Sequence, residues 1–231
     1  MIIYGKPGEY AQGLANNLRL KQGLYNAGIV VIGLGSVYAL LTYKLPLYYL
    51  APVVVVLIVL AVVSKNTRLA YRRAKIGADK ETAVVKQLIA SKLNATVYCG
   101  LMLGAGGDCD LIVVLEHFLA AVEVKTGFGN VFVSKTGGII AGKRQIPGDP
   151  VAQILRQRSA LEKQYPYNST VPVVCISDGT VPPKLTSGSV HITNAVTLPQ
   201  LLKIMVTTKT PVDTTYLDKL AKAQHKRKRT V

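Results

Sequence analysis

Acids are scarce in this 231-residue chain: 12 Asp and Glu stand against 28 Lys and Arg, for a formal charge of +16 and a pI near 9.8. That balance excludes an acidic surface and favours polyanions, either nucleic acid or the anionic inner leaflet of a membrane. Cysteine is scarce too. Cys99, Cys109 and Cys175 lie far apart with no paired metal-ligand spacing, which argues against a zinc site and agrees with a reducing, cytoplasmic compartment. No internal repeat is visible, and SKTGG and AGKR lack the Gly-x4-Gly-Lys-Ser/Thr frame of a phosphate-binding loop. Of the three histidines, His117 sits in an expected turn, and His191 and His225 have no evident partner.

What the chain does have is grease in one place. Its mean hydropathy is +0.30 despite the charge, so the composition divides into an apolar part and a basic part. Gln22 to Tyr43 are 22 residues without a charge, and after Lys44 a further 20 run from Leu45 to Ser64. Each run is long enough to cross a hydrocarbon core of about 30 Å as a helix. Tyr43, Tyr48 and Tyr49 flank the short break, as interfacial tyrosines do. The alternative is a buried helical pair in a soluble fold. Lys6, Arg19 and Lys21 precede the runs and Lys65, Arg68, Arg72, Arg73 and Lys75 follow them. By the positive-inside rule both termini are expected in the cytoplasm, with a two-span hairpin in the cell membrane. The apolar stretch begins too far into the chain for a signal peptide.

The expected organisation is an N-terminal cytoplasmic segment (1–22), a transmembrane hairpin (23–64, spans about 23–43 and 45–64), a basic juxtamembrane segment (65–75), a soluble domain (76–210) and a basic tail (211–231). From Lys65 onward there are 24 basic and 11 acidic residues. Asp79 is expected to cap a helix through KETAVVKQLIASKL, with Val84, Val85, Leu88 and Ile89 as its apolar face. TVYCGLML, Leu111–Leu115, Leu119–Lys125, VPVVCIS and SVHIT read as strands, and GNVFVSKTGGIIAG as strand and turn. Pro150 starts a helix capped by Asp149, and TLPQLLKIM makes a short one. This order describes an α/β or α+β domain.

Asp110 opens one buried run and Glu123-Val124-Lys125 closes the next. Glu123 and Lys125 share a strand face, being two apart. A two-residue turn between the runs sets Asp110 opposite Glu123 or Lys125, whereas a three-residue turn sends it to the other face. Two carboxylates with a backbone carbonyl suit Mg²⁺, and a lysine beside them suits phosphodiester hydrolysis. A strand-end salt bridge between Glu123 and Lys125 fits the same residues.

The wider arrangement resembles the PD-(D/E)xK nuclease superfamily and, more narrowly, its nuclease-related domain (NERD) family. The matching stretches are GADKE (77–81), GGDCDLIVV (106–114), AAVEVKTGFGNV (120–131) and DPVAQILRQRSAL (149–161), with VPVVCIS and VHITNAVTLPQLL following, so that residues 76 to 206 are covered. The resemblance implies a restriction-endonuclease-like α/β core, a central mixed sheet flanked by helices, and hydrolysis of DNA or RNA with Mg²⁺ or Mn²⁺. It implies Asp110, Glu123 and the Val124 carbonyl as metal ligands, Lys125 as the water-orienting or charge-stabilising residue, Glu81 as an outer acid and Gln153 as a helper near the phosphate. Lys80, Cys109 and Asp149 depart from the family's usual residues. Asp108 suits loop capping better than the metal shell. Arg156, Arg158 and Lys163 are candidates for the nucleic-acid backbone, though a solvated helix face accounts for them equally. Lys226 to Arg229 suit nucleic acid, anionic lipid or a solubilising tail. A membrane-tethered module that keeps the fold and binds nucleic acid without cutting is the alternative, and a structural lipid-binding membrane protein a third.

Overall fold

The computed structural model describes residues 1–231 apart from 45, 117, 167, 206–211 and 230–231, and describes residues 10, 47, 105 and 225–229 by their backbone alone. Thus His117 and the 210/211 boundary lie outside the described residues. The chain forms two compact units, one of Tyr10–Ile76 and one of Met1–Glu9 with Gly77–Val231.

Two long helices make up the first unit: α1 (Glu9–Tyr43) and the start of α2 (Leu50–Ala90). Apolar side chains cover them on all sides and stay uncovered, with Val31 at 69%, Leu34 at 68% and Leu41 at 76% exposure. The most apolar windows are 0% and 6% buried, which does not fit a buried helical pair of a soluble core. Both helices are long and apolar enough to cross a membrane. They meet where side chains are small or polar: the Ser64 hydroxyl donates to Asn26 Oδ1 at 2.7 Å, and Gly28 faces Leu60.

Asp79 does not begin a helix, because α2 runs through it unbroken from Leu50 to Ala90. The basic stretch 65–76 consists largely of good helix formers, and Gly77 alone costs only about 1 kcal/mol against Ala, too little to end the helix by itself.

The second unit is built on one mixed sheet. Its strands are β1 (Ile2–Tyr4), β2 (Thr96–Met102), β3 (Asp108–Val114), β4 (Phe118–Val133), β5 (Ile139–Ala141), β6 (Arg144–Gln145), β7 (Ser169–Thr180), β8 (Thr186–Ser187) and β9 (Val190–Asn194). The order is β1-β2-β3-β4-β7-β9-β8, with β5 and β6 extending the far end of β4. β2, β3 and β4 are antiparallel neighbours, and β4, β7 and β9 run parallel. Three further helices complete it: α3 (Pro150–Gln164), α4 (Leu198–Ile204) and α5 (Thr215–Arg229).

Strand alternation sorts the core onto two faces. Leu111, Val113, Ala120 and Val122 pack with Val84, Val85 and Leu88 of α2 and Leu198 and Leu202 of α4. Ile112, Val114, Leu119 and Ala121 pack with Ile154 and Leu161 of α3 and Leu217 of α5. The result is a central mixed sheet flanked by helices, as expected. Asp149 caps α3 as read from the sequence, its carboxylate accepting from Ala152 N at 3.1 Å. Two segments have more structure than their sequences announce. Residues 2–4 add an edge strand parallel to β2, and the tail forms α5, whose Leu217 is fully buried and whose Asp218 accepts from the buried Tyr98 hydroxyl.

Candidate active site

The hairpin register decides the geometry. β3 and β4 pair Val114 with Leu119 and continue to Leu111 with Val122, closed by the Leu115 N–H donating to Phe118 O at 3.0 Å. That is the two-residue turn, and it sets Asp110 opposite Glu123. The backbone ladder stops there. Past Leu111 the Asp110 side chain takes over, Oδ2 accepting from Val124 N at 2.7 Å. The carboxylate is thus fixed against the strand that carries Glu123 and Lys125.

Odd-numbered residues of β4 face α3, so Glu123 and Lys125 continue the row of Leu119 and Ala121 into the end of that helix. Lys125 Nζ lies 2.6 Å from Glu123 Oε1 and donates to Gln153 Oε1 at 3.2 Å. The other Glu123 oxygen accepts from Gln157 Nε2 at 3.0 Å. Glu123 is 1% exposed and Gln157 fully buried. The same Gln157 nitrogen donates to the Asp108 carbonyl at 2.7 Å, so both its hydrogens are used, while Gln157 Oε1 is buried with no partner among the described residues.

Burial pushes the Asp110 carboxyl well above its usual range, and the nearby charges of Glu123 and Glu81 add to this; the Val124 N–H and Lys125 oppose it. Glu81, on α2, is pushed up to about 7, first by burial and then by Asp108 and Glu123, against the stabilising Gly8 N–H. That N–H donates to Glu81 Oε2 at 2.9 Å from the segment just after β1. Acids from three elements therefore crowd into one partly buried region with a single lysine among them.

The structure brings together Asp110, Glu123, Lys125 and Gln153, with Glu81 near enough to feel Glu123 and Lys125. Val124 lies in the same knot through its N–H. The basic residues of α3 differ in their surroundings. Arg158 pairs with Glu162 at 2.7 Å and reaches Ser189, whereas Arg156 and Lys163 are exposed, seven residues apart. Lys80 forms an ion pair with Asp178 at the end of β7, 2.6 Å away. Among the described residues no three His, Cys, Asp or Glu side chains stand together as a metal cage. Sequence reasoning missed Gln157 and Gly8. Gln157 had a signal, since it lies one helical turn after Gln153 on the same face; Gly8 had none, because its partner is 73 residues away.

Residues 76–178 match the family model for the nuclease-related domain, NERD. No curated protein and no solved structure matches the chain. The matched stretch runs from α2 just before Glu81 to Asp178 in β7, and so takes in Asp110, Glu123, Lys125, Gln153 and Gln157. With the mixed sheet and its flanking helices around those residues, the chain carries a nuclease-related domain over residues 76–178.

Proposed function

We propose that the protein is a membrane-anchored nuclease that hydrolyses phosphodiester bonds of DNA or RNA at the cytoplasmic face, with Mg²⁺ or Mn²⁺ as cofactor. The observation that carries this reading is the Asp110 carboxylate bound to the Val124 N–H, between Glu123 and Lys125 on β4. The donor set fits a hard divalent cation: two carboxylates and the Val124 carbonyl supply oxygen, and the burial and carboxylate repulsion that raise Asp110 are what a cation would offset. Gln157 Oε1 remains as a buried acceptor for a water. Asp110, Glu123 and the Val124 carbonyl would hold the ion, which when bound polarises a phosphoryl oxygen and acidifies a water.

The chain's own residues supply the rest. Lys125, held between Glu123 and Gln153, sets a fixed positive charge where negative charge grows on the phosphorus oxygens. Gln157 orients Glu123 by holding its second oxygen. Glu81, titrating at about 7, is the acid suited to take up or release a proton at neutral pH.

Full-length protein in detergent is assayed on plasmid, single-stranded DNA and RNA with Mg²⁺ or Mn²⁺. Asp110→Ala and Lys125→Ala should each lower cleavage by about 100-fold or more, the scale of losing a preorganised charge. Equal activity in both variants would show the site to be wrong.

The alternative reading, a membrane-tethered module that binds nucleic acid without cutting it, has one observation in its favour. Both Glu123 oxygens are already satisfied by Lys125 and Gln157. Salt-sensitive binding by the wild type without metal-dependent cleavage would select it.

A further inference from the structure

Only three phenylalanines occur in the chain. Phe118 is buried in the sheet core, but Phe128 is 68% exposed and Phe132 46% exposed. Both exposed rings stand on one small feature, the arm formed by the far end of β4 with β5 and β6. The arm begins directly after Lys125, where the pairing of β4 with β7 shifts register between Lys125 and Phe128. Gly127 makes the shift possible. A Cβ there would lie 2.8 Å from Ile176 and 2.9 Å from Ala141, so the chain passes flush against the core and the next side chain, Phe128, is turned outward.

Beyond the shift, Phe128, Asn130 and Phe132 alternate on the outer face while Val131 is 1% exposed on the inner one. Phe132 pairs across to Ile140, and Ile140 to Gln145, which carries that face over all three strands. A groove of about 400 Å³ runs alongside, lined by Phe128, Gly142, Lys143, Arg144 and Gln145 among others. From Thr126 to Gly148 the sequence has Lys135, Lys143 and Arg144 and no acid. A solvent-facing ring costs hydration free energy unless something covers it, and here the cover must tolerate three cations.

We infer that this arm is a single-strand platform: an unpaired base of the nucleic-acid substrate stacks on Phe128 while Lys143 and Arg144 hold its phosphates, feeding the strand to Lys125. The inference rests on the nuclease reading for its substrate class, and it adds single-stranded or unpaired nucleic acid as the preferred form. An accessible ring beside a basic groove is how sequence-tolerant single-strand binders are built, whereas the stacked bases of a duplex leave no π-face for the ring. The polar neighbours Asn130 and Gln145 suit base edges and sugar hydroxyls. Phe128 lies three steps along the chain from Lys125, at most about 10 Å when extended, close to one or two nucleotide steps. An aromatic and basic patch also suits a membrane interface, and that is the competing outcome.

The test uses full-length protein in detergent with EDTA, so that binding is read without cleavage. Fluorescence anisotropy follows a labelled 20-nucleotide oligo-dT and a 20-base-pair duplex. Phe128→Ala should weaken oligo-dT binding about fivefold or more, the loss of one base stack. Phe128→Trp should keep it, and neither variant should change duplex binding. Lys143→Ala/Arg144→Ala should weaken oligo-dT and flatten its salt dependence. Unchanged oligo-dT binding in Phe128→Ala overturns the proposal, as does an equal loss on the duplex. So does a loss confined to anionic phosphatidylserine vesicles. Cleavage of the same oligo-dT by the wild type with Mg²⁺ tests the nuclease reading by itself, so the two can fail separately.

Discussion

Glu81 shows how a single side chain ties the site to stability. It is half-buried on α2, accepts from Gly8 N and feels Asp108 and Glu123 as like charges and Lys125 as a partner. Its folded pKa of about 7 stands above the ordinary 4.5 of a free glutamate. Below about 4.5 the group is protonated in both states and its relative stabilisation of the fold is complete; as pH rises through the interval to 7 the unfolded chain ionises first, and that stabilisation is lost. Wild-type protein in EDTA should therefore melt at falling temperatures from pH 4.5 to 7. Glu81→Gln keeps an acceptor for Gly8 N–H without the charge, and should match the wild type near pH 4.5 while melting several degrees higher at pH 7.5, a difference of up to roughly 3 kcal/mol. A variant curve parallel to the wild type at every pH would show that Glu81 is not the titrating group. The site residues divide in the same physical terms. Glu123 and Lys125 could be set on one strand face from the sequence because strand parity is local, whereas the place of Asp110 hung on the turn length, which the sequence left open. Gln157 was harder, since whether it or Gln153 meets the acids depends on how α3 sits over β4, a tertiary fact.

Elements were legible where their apolar pattern was complete within a short window. The β3–β4 hairpin, β7, β9 and α3 each carry their own burial code and ends, such as Asp149 and Pro150 for α3. β1 carries none: three residues at the chain start gain an identity only by pairing with Thr96 to Tyr98, far along the sequence. The two-residue strands β6 and β8 are too short for any period. α2 was misread at one point only: Asp79 looks like a cap, although the apolar run to Ser64 and the basic, proline-free juncture after it suit a helix that continues past the bilayer. The β1 segment is held by a close approach rather than by its own propensity. Gly8 has φ +70°, and a Cβ there would lie 2.6 Å from the backbone of Ala78 on α2. Gly8→Ala should force the segment away, strip Glu81 of its N–H donor and destabilise the protein by about 2 kcal/mol or more. Gly13→Ala, on α1 with open space around its would-be Cβ, is the matched control and should be neutral or stabilising. Equal melting temperatures for Gly8→Ala and wild type would mean that the segment is not docked through Gly8.

At the scale of the whole molecule, charge and grease are segregated along the chain. The apolar windows of α1 and α2 have little to bury them, and the basic residues lie at the outer ends of the hairpin rather than in the Lys44 turn. A bilayer would supply the missing apolar cover, and by the positive-inside rule the basic ends would favour the cytoplasmic leaflet. The nuclease-related domain would then work on the cytoplasmic side, and the Lys44 turn would emerge on the other. The native cysteines allow this to be measured without interference. Cys99, Cys109 and Cys175 are all buried; burial raises all three thiols, Cys99 and Cys175 to about 12, which leaves almost no thiolate at neutral pH. A cysteine placed at an exposed position should thus be the site that a membrane-impermeant maleimide labels. In intact cells or right-side-out vesicles, Lys44→Cys should label at once. Lys135→Cys, on the exposed β4–β5 turn, should label only after permeabilisation, and both should stay with the membrane through an alkaline carbonate wash. Labelling of Lys135→Cys from outside would invert the topology and remove the cytoplasmic nuclease. Release of the protein by carbonate would remove the anchor, and the exposed apolar faces of α1 and α2 would then need a protein partner instead.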